Sequence, residues 1–319
     1  MSEERTLDLL EAKIEELRSL NREDGIDLSG EIERLEKKLE AMRRELYSNL
    51  SDWERVRFAR HPKRPYALDY IEAVFTDFYE LHGDRIVGDD PALVAGLARL
   101  DGRSVVVLGQ QKGRSTEEKQ LRLFGMTRPH GYRKARRALL LAERFSFPVI
   151  TLIDTPGAYP GVEAEELNIG CAIAENLLTM SSLATPIVSL VIGEGGSGGA
   201  LAIGVADCIL MLENAIYSVI SPEAAASIVW RDKERMKEAA VALNLTAPHL
   251  FERGLIDAVI SEPLGGAHRD FAATTKSVRS ELVRRVEDLA ALPVDELVEK
   301  RYERYRNVGQ FRMTSDDTV

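Results

Sequence analysis

Two short apolar runs that each end in a glycine-rich turn constrain the fold of this 319-residue chain most strongly. The first run, VITLID, leads into TPGAYPG at residues 155–161, and the second, PIVSLVI, leads into GEGGSGG at residues 193–199. Both runs have the length and the β-branched content of buried strands, and a helix-like segment follows each turn. The pattern predicts an α/β protein in which two strand-end loops carry the functional site.

Glycine in these turns indicates what kind of site to expect. It permits positive φ and allows the main chain to approach a ligand closely. Converging backbone N–H groups bind anions and stabilise developing oxyanions. We therefore expect a site for a negatively charged group, built from backbone donors rather than from side chains.

Composition argues against several functional classes. A net charge of −10 disfavours general nucleic-acid binding, which needs a basic surface. No apolar run approaches the ~20 residues of a membrane span, and the acidic start MSEERT resembles neither a signal nor a transit peptide. Two cysteines, Cys171 and Cys208, are too few for a structural zinc site or a disulfide framework. The expectation is a cytoplasmic protein that holds no metal.

The first 50 residues predict a helical hairpin, because apolar residues recur at heptad spacing on both sides of a polar break at 21–30. These residues are Leu7, Leu10, Ile14 and Leu17, and then Ile32, Leu35, Leu39, Met42 and Leu46. Two prolines in HPKRP, at residues 61–65, mark a boundary. We therefore divide the chain into residues 1–60, a hairpin that is either a solvated coiled coil or a docking arm, and residues 61–319, the main domain with C-terminal helices.

The remaining elements continue the alternation of strands and helices. An Asp-Gly turn at 101–102 predicts a hairpin between two strands, and Ser221 followed by Pro222 predicts a helix start. Helices are predicted at 66–81, 129–147, 163–183, 270–292 and 294–307, and strands at 93–100, 104–108, 208–212 and 216–220.

A nucleotide site is suggested by two motifs, but neither is complete. Residues 109–115, GQQKGRS, resemble a phosphate-binding Walker A loop, yet the glycines are one residue too close and Arg114 stands where the loop needs lysine. The DTPG turn at 154–157 resembles a GTPase motif. A nucleotidase of this kind needs both the phosphate-binding loop with its lysine and the DTPG-type turn. Because the loop is incomplete, the sequence disfavours a nucleotidase.

Residues 112–137 are basic within an acidic chain, with nine Lys or Arg residues against two Glu. This stretch is either a solvated helix face or a patch for an anionic ligand or an acidic partner. The basic residues are Lys112, Arg114, Lys119, Arg122, Arg128, Arg133, Lys134, Arg136 and Arg137.

A serine hydrolase is an alternative function, because GGSGG contains the G-x-S-x-G pattern of a nucleophile elbow around Ser197. Its triad would require an acid and a histidine downstream, and Asp257 and His268 occur in that order. The four glycines around Ser197 favour exposed N–H groups over a nucleophile. A binding or scaffold subunit that has lost catalysis is a third possibility.

Eight strings carry a resemblance to a known family. They are RHPKRPY (60–66), QKGR (111–114), FGM (124–126), GYRKA (131–135), IDTPGAYPG (153–161), IGEGGSGGALAIG (192–204), YSVISPE (217–223) and PLGGAHR (263–269). Over nearly its whole length the chain resembles the carboxyltransferase α subunit of multi-subunit acetyl-CoA carboxylase, in the crotonase-like superfamily. The resemblance implies an α/β fold of repeated ββα units stacked as a superhelix and flanked by helices.

The resemblance also implies a reaction and its site. Carboxybiotin on a carrier protein gives its carboxyl group to acetyl-CoA, forming malonyl-CoA, the first committed step of fatty acid synthesis. Carboxybiotin and acetyl-CoA are both substrates, so the resemblance implies no cofactor bound covalently to this chain. It also implies that the biotin ureido nitrogen accepts the proton of the acetyl methyl group. The implied donors to the biotin ureido oxygen are Gly198 and Gly199, and the implied substrate-binding residues are Gly157, Ala158, Gly195, Gly196 and Ala200.

Partners follow from the same resemblance. The family divides its site between the α subunit and a β subunit, which carries a zinc ribbon and the hole for the thioester. The resemblance therefore implies an α2β2 assembly, inactivity of this chain by itself, and cooperation with a biotin carboxyl carrier protein and a biotin carboxylase. The basic stretch 112–137 would then face CoA phosphates or the acidic partner.

The chain departs from the family at residues 167–171, where it reads LNIGC. The family has glutamine and glutamate where Ile169 and Cys171 stand here. Neutral drift, an altered biotin pocket and reduced activity are all compatible with this change.

Overall fold

One mixed sheet forms the centre of the molecule in the computed structural model, which describes residues 2–23 and 27–309. Its strands are β1 Thr76–Glu80, β2 Leu93–Leu100, β3 Arg103–Gln110, β4 Val149–Thr155, β5 Ile187–Gly196, β6 Cys208–Leu212, β7 Ile216–Ser218 and β8 Ala258–Ile260. The expected α/β class is confirmed.

Strand order places the two glycine turns side by side. Strands β1, β2 and β3 are antiparallel, whereas β3, β4, β5, β6 and β8 are parallel neighbours. Strand β5 pairs with β6 through its first half and with β7 through its last three residues. Every residue of β4 is buried, as expected for a parallel strand covered on both faces. Because β4 and β5 are parallel neighbours, the loops after them emerge at the same edge of the sheet.

The helices cover the sheet and form the N-terminal extension. They are α1 Ser2–Glu23, α2 Ser29–Tyr47, α3 Asp52–Ala59, α4 Ala67–Val74, α5 Thr116–Leu121, α6 Pro129–Phe145, α7 Val162–Glu166, α8 Ile169–Ser182, α9 Ser197–Leu201, α10 Pro222–Trp230, α11 Met236–Leu243, α12 Ala247–Glu252, α13 Phe271–Ala290 and α14 Val294–Arg306. Among the described helices, none combines the length and the apolar character that crossing a membrane requires.

The predicted N-terminal hairpin is confirmed as α1 and α2. Leu7, Ile14 and Leu39 are buried between them, together with Phe58 of α3. Helix α3 also packs against α11 and the strand β7. Because α3 belongs to both packing clusters, the division of the chain at residue 60 stays a prediction.

The helix predicted for residues 66–81 is wrong in its second half. Helix α4 ends at Val74 and the strand β1 follows, with Thr76 opposite Arg99 and Tyr79 opposite Leu97 of β2. Threonine and aromatic residues favour this extended edge strand. The spacing of apolar residues in this segment is compatible with a helix or a strand, and pairing with β2 makes the segment a strand.

The helix predicted for residues 163–183 is broken at Asn168, which adopts the left-handed conformation with φ 58° and ψ 60°. Asparagine tolerates this conformation better than most residues. The Arg133 guanidinium donates to the Leu167 carbonyl across 2.6 Å, which satisfies an acceptor at the break.

Helix α14 is fixed to the core by one buried arginine. Arg301 pairs with Asp207 across 2.8 Å and donates to the carbonyls of residues 180, 183 and 185. The Tyr305 hydroxyl accepts a hydrogen bond from Ala206 N across 2.7 Å. Through these contacts α14 supports the end of α8 and the segment between α9 and β6.

Candidate active site

The two glycine turns are in direct main-chain contact. A Cβ atom added to Gly199 would lie 2.6 Å from Ala158 N, and one added to Gly196 would lie 2.9 Å from the Thr155 carbonyl oxygen. Neither distance can accommodate a side chain. The structure thus brings together Gly157, Ala158, Gly196 and Gly199, and it explains why glycine is required at the last two positions.

The second turn presents backbone donors at the start of α9. The first N–H groups of a helix have no acceptor within it, and no side chain caps α9. Gly198 is the most open residue of the turn, because an added Cβ would have Ile173 Cδ1, at 3.6 Å, as its nearest described neighbour. The N–H groups of Gly198 and of the buried Gly199 lie in this first turn of α9, and their role as donors to a negatively charged oxygen stays a prediction.

The first turn is closed by Thr155, whose Oγ1 accepts from Gly157 N across 3.1 Å and donates to the Gly157 carbonyl across 2.7 Å. The Gly157 N–H is thereby occupied. Ala158 N donates to no group within the described residues. Of the two residues implied for this loop, Ala158 is therefore the better placed donor.

Gly195 and Ala200 occupy supporting positions. A Cβ on Gly195 would lie 2.6 Å from the Tyr217 ring, and Ala200 is completely buried. Both residues allow the turn to pack onto the sheet, and neither offers a side chain to a ligand.

A chain of alternating charges lies beneath the turns, and the sequence did not reveal it. We call Glu223, Arg60, Glu194, Lys112 and Asp154 the charge chain. Its ion-pair distances are 2.5 Å for Glu223–Arg60, 2.6 Å for Arg60–Glu194, 2.7 Å for Glu194–Lys112 and 2.8 Å for Lys112–Asp154. Asp154 and Glu194 stand where β4 and β5 enter the two turns.

Burial and mutual attraction together set the ionisation of the charge chain. Burial opposes the charged form of Glu194, but Lys112 and Arg60 outweigh it and lower the pKa of Glu194 to about 2. Burial likewise opposes the charged form of Lys112, yet Asp154 and Glu194 raise the pKa of Lys112. Burial raises the pKa of Asp154, with Lys112 acting in the opposite direction. Lys112 is consequently held as a cation between two carboxylates.

An apolar cavity of about 460 Å³ opens beside Ser197 and Gly198. Its walls come from α9, β7, α12 and the end of the described chain. Apolar and aromatic lining residues include Leu201, Tyr217, Val219, Leu250, Leu255 and Tyr305. The cavity provides space for an apolar group next to the uncapped N–H donors.

Most of the basic stretch 112–137 is engaged within the chain rather than open to ligands. Lys134 is fully buried and pairs with Asp89 across 2.5 Å. Arg137 donates to the His82 carbonyl across 3.0 Å, and Arg122 donates to the Pro91 carbonyl across 2.7 Å. The net positive charge of this stretch therefore largely stabilises the fold.

The serine hydrolase alternative is not supported. Neither ring nitrogen of His268 has a hydrogen-bond partner among the described residues, and its ring stacks on His61 at 4.0 Å. Asp257 instead pairs with Arg304 across 2.7 Å. Burial and the neighbouring His61 lower the pKa of His268 to about 3. No triad with Ser197 is formed.

The departure at residues 167–171 covers the break at Asn168 and the first turn of α8. Ile169 is half-buried and packs against the main core, whereas Cys171 is exposed. Ile173, one turn further on, forms the nearest wall to Gly198. Within the part of the chain that the structure describes, no cluster of three potential metal ligands occurs.

Solved structures with a similar fold are enzymes that act on carboxyl groups or CoA esters. A Pseudomonas malonate decarboxylase hetero-tetramer in complex with coenzyme A gives a TM-score of 0.57 at 21% identity, over 69% of this chain and 88% of that chain. The transcarboxylase 12S core gives 0.55 at 21% identity, over 81% of this chain. This chain spans 46% of the transcarboxylase chain. The expected crotonase-like fold is confirmed.

Curated relatives are similar over almost their whole length. Proteins named acetyl-coenzyme A carboxylase carboxyl transferase subunit alpha are 54% identical in Methylococcus capsulatus, over 95% of this chain and 94% of the relative, and 55% identical in Azotobacter vinelandii, over 94% and 95%. The model of the family described as acetyl co-enzyme A carboxylase carboxyltransferase-like matches residues 1–309. The chain belongs to this acetyl co-enzyme A carboxylase carboxyltransferase family.

Proposed function

We propose that this chain supplies the biotin-binding half of a carboxyltransferase that moves a carboxyl group from carboxybiotin, on a carrier protein, to acetyl-CoA. The product is malonyl-CoA. The observation that carries this proposal is the main-chain contact between the two glycine turns at the sheet edge, beside the first turn of α9, which no side chain caps.

Gly198 and Gly199 act by stabilising charge. As the carboxyl group leaves biotin, negative charge develops on the ureido oxygen, and two fixed N–H donors bind it without reorganising. Removing one such donor typically costs about 10²–10³ in rate. Ala158, on the opposite turn, lies close enough to Gly199 to form the other wall of this site.

The apolar cavity beside Gly198 receives the uncharged part of the substrate. Its volume of about 460 Å³ lies within the ~300–1,000 Å³ range of small-molecule sites. Apolar walls with few free polar groups suit a ring and an alkyl arm rather than a nucleotide. The cavity thereby supports the assignment of biotin to this chain.

The proton of the acetyl methyl group requires no side chain of this chain. The ureido nitrogen that has lost its carboxyl group accepts that proton, and the resulting enolate attacks the carbon of the released carboxyl group. A site built from main-chain donors suits this chemistry. The enolate carries its charge on the thioester oxygen, which needs a second set of donors.

A β subunit supplies that second set in this proposal, giving an α2β2 assembly with a biotin carboxyl carrier protein and a biotin carboxylase as further partners. The proposal is supported by the relatives, which are named as an alpha subunit, and by the hetero-tetrameric state of the malonate decarboxylase of similar fold. This chain is then inactive without its partner.

Malonyl-CoA-dependent carboxylation of biocytin, the reverse half-reaction, tests the proposal. It is measured with the chain alone, the cognate β subunit alone, and both together. We expect turnover in the mixture and none in either component. Turnover by this chain alone, or an assembled mixture without turnover, would contradict the proposal.

A further inference from the structure

We infer that Gln110 and Lys112, at the end of β3, are positioning residues that set the separation of the two glycine turns. This inference rests on the proposed function, because it concerns the same backbone donors. Each side chain binds one atom on the β4 side and one on the β5 side, so each acts as a bridge.

Gln110 forms the first bridge. Its side chain is completely buried. Its Nε2 donates to the Gly199 carbonyl across 2.7 Å, and its Oε1 accepts from Asp154 N across 3.2 Å. The amide thus holds the main chain of Gly199, a proposed donor, against the residue at which β4 enters its turn.

Lys112 forms the second bridge. Its Nζ lies 2.8 Å from Asp154 Oδ1 and 2.7 Å from Glu194 Oε2, and its side chain is 13% exposed. Both carboxylates belong to residues at the entrance of a glycine turn. One ammonium group therefore ties the two entrances together.

Such bridges matter because the pairing of β4 with β5 becomes irregular just before the turns. Strands β4 and β5 pair in regular register through Ile153, and an irregularity separates this residue from the Thr155–Gly195 pair. Asp154 fills the irregularity, since its Oδ1 accepts from Glu194 N across 2.9 Å. Around this irregularity, the side chains of Gln110 and Lys112 add links between the turns to the single Thr155–Gly195 pair.

This inference also accounts for the stretch that resembles a phosphate-binding loop. A lysine that serves a nucleotide points its ammonium at phosphates, whereas Lys112 is bound by two buried carboxylates. The glycine after it packs tightly on α5, where a Cβ on Gly113 would lie 2.6 Å from Glu118 Cβ. The motif is a structural support for the active site.

The test uses the complex of this chain with its cognate β subunit and the variants Gln110→Met, Lys112→Met, their double variant and Lys112→Arg. We expect each single Met variant to lower kcat for biocytin carboxylation at least ~10-fold, with KM for malonyl-CoA and biocytin within ~3-fold. The double variant falls no more than ~3-fold below the slower single variant, because both act on one separation. Lys112→Arg, which can still bridge two carboxylates, recovers most of kcat.

Two readouts distinguish positioning from a general loss of structure. In Lys112→Met, Arg60 still neutralises Glu194, whereas Asp154 loses its only ammonium partner among the described residues. A proton on Asp154 then relieves its repulsion with Glu194 and favours the native turn, so kcat of this variant rises as pH falls. In the chain without its partner, amide hydrogen exchange of peptides 153–160 and 194–202 accelerates in both Met variants. Lys37→Met, which removes an exposed ion pair with Glu33, is the matched control and changes neither readout.

The outcomes separate this inference from the proposed function. An inactive wild-type complex refutes the proposed function, and hydrogen exchange then still decides whether the bridges hold the turns. If the wild-type complex is active, three results refute the positioning role. They are unchanged kcat in the Met variants, a double variant whose loss of kcat is the product of the two single losses, and unchanged hydrogen exchange in the two turns. If Lys112→Met does not fold, Gln110→Met and Lys112→Arg carry the same comparison.

Discussion

Gly199 lies directly against the main chain of Gly157, and this contact joins two loops that follow different strands. The two turns can approach this closely only because Gly199 has no side chain, so the position of one turn depends on the residue present in the other. We therefore expect the two turns to be sensitive to an added methyl group at some glycines and tolerant of one at others.

Gly199→Ala should strongly impair activity. The added methyl group would lie 2.6 Å from Ala158 N, so the turns must separate, and a displacement of about 1 Å at a catalytic site can cost ~10²-fold. We expect kcat for biocytin carboxylation to fall at least ~10²-fold. Gly198→Ala is the comparison for stability, because its Cβ has room, and its free energy of unfolding should remain within ~1 kcal/mol of the wild type. If Gly199→Ala and Gly198→Ala lost kcat equally and neither displaced the turns, this explanation would be contradicted.

Glu262→Ala should cause one of the largest losses of stability in the chain. Glu262 and Arg64 are both almost completely buried and form a bidentate pair at 2.6 and 3.0 Å. Removing one partner leaves a buried charge without compensation, which costs about 3–5 kcal/mol. Urea unfolding measures this loss. Arg279→Ala, which removes the exposed pair with Asp101, should cost at most ~1 kcal/mol, and a similar cost for both variants would refute the argument.

Stability should fall between pH 4.5 and pH 2, in part because of Glu194. Burial opposes its charge, but Lys112 and Arg60 lower its pKa from 4.5 to about 2. A lowered carboxyl pKa contributes stability that is complete above the unfolded value and is lost as pH falls through the folded one. The contribution is about 3 kcal/mol at most. Urea unfolding across this pH range should show that the free energy of unfolding declines less steeply for Glu194→Gln than for the wild type. Parallel declines in the two proteins would disprove the role of Glu194.

Only one of the two cysteines should react in the native protein. Cys171 is exposed, whereas Cys208 is buried, and burial together with Asp257 raises the pKa of Cys208 to about 12. The thiolate is the reactive form, so N-ethylmaleimide at neutral pH should label Cys171 and leave Cys208 unmodified. Peptide mass spectrometry locates the label, and denaturing urea should expose both. Native labelling of Cys208 would contradict the buried position.

The departure at Cys171 should be neutral for folding. Because this side chain is exposed on α8, Cys171→Glu, which introduces the residue that the family resemblance implies, should change the free energy of unfolding by less than ~0.5 kcal/mol. Biocytin carboxylation by the complex then shows whether position 171 affects the biotin site. A large loss of stability would mean that the position is more constrained than its exposure indicates.

Local patterns predicted the elements that are long or have strong turn signals. Heptad spacing predicted the hairpin α1–α2, and the Asp101–Gly102 dipeptide predicted the turn between β2 and β3. The capping residue Ser221 predicted the start of α10. The predictions failed where tertiary contacts chose between two structures. Residues 76–80 form a strand because β2 is there to pair with them, and at the break beside Asn168 the Leu167 carbonyl accepts from Arg133 of another helix.

The glycine turns could be located from the sequence because they follow strand-like runs, although their assignment as the site stays a prediction. The charge chain could not be located in the same way. Arg60, Lys112 and Glu194 are widely separated in sequence, and the motifs in which they stand do not indicate that they pair with one another. Their partnership depends on the order of strands in the sheet. Local patterns specified the strands and their turns but not the sheet order.

The uncapped N–H groups at the start of α9 have a further implication for how the protein varies. Every amino acid except proline carries a main-chain N–H group, so any other substitution can move the N–H groups of Gly198 and Gly199 but cannot delete them. Inactivating changes should therefore be found among residues that hold the turns, many of them out of reach of any substrate. For this protein, distance from the substrate is a poor guide to tolerance of mutation.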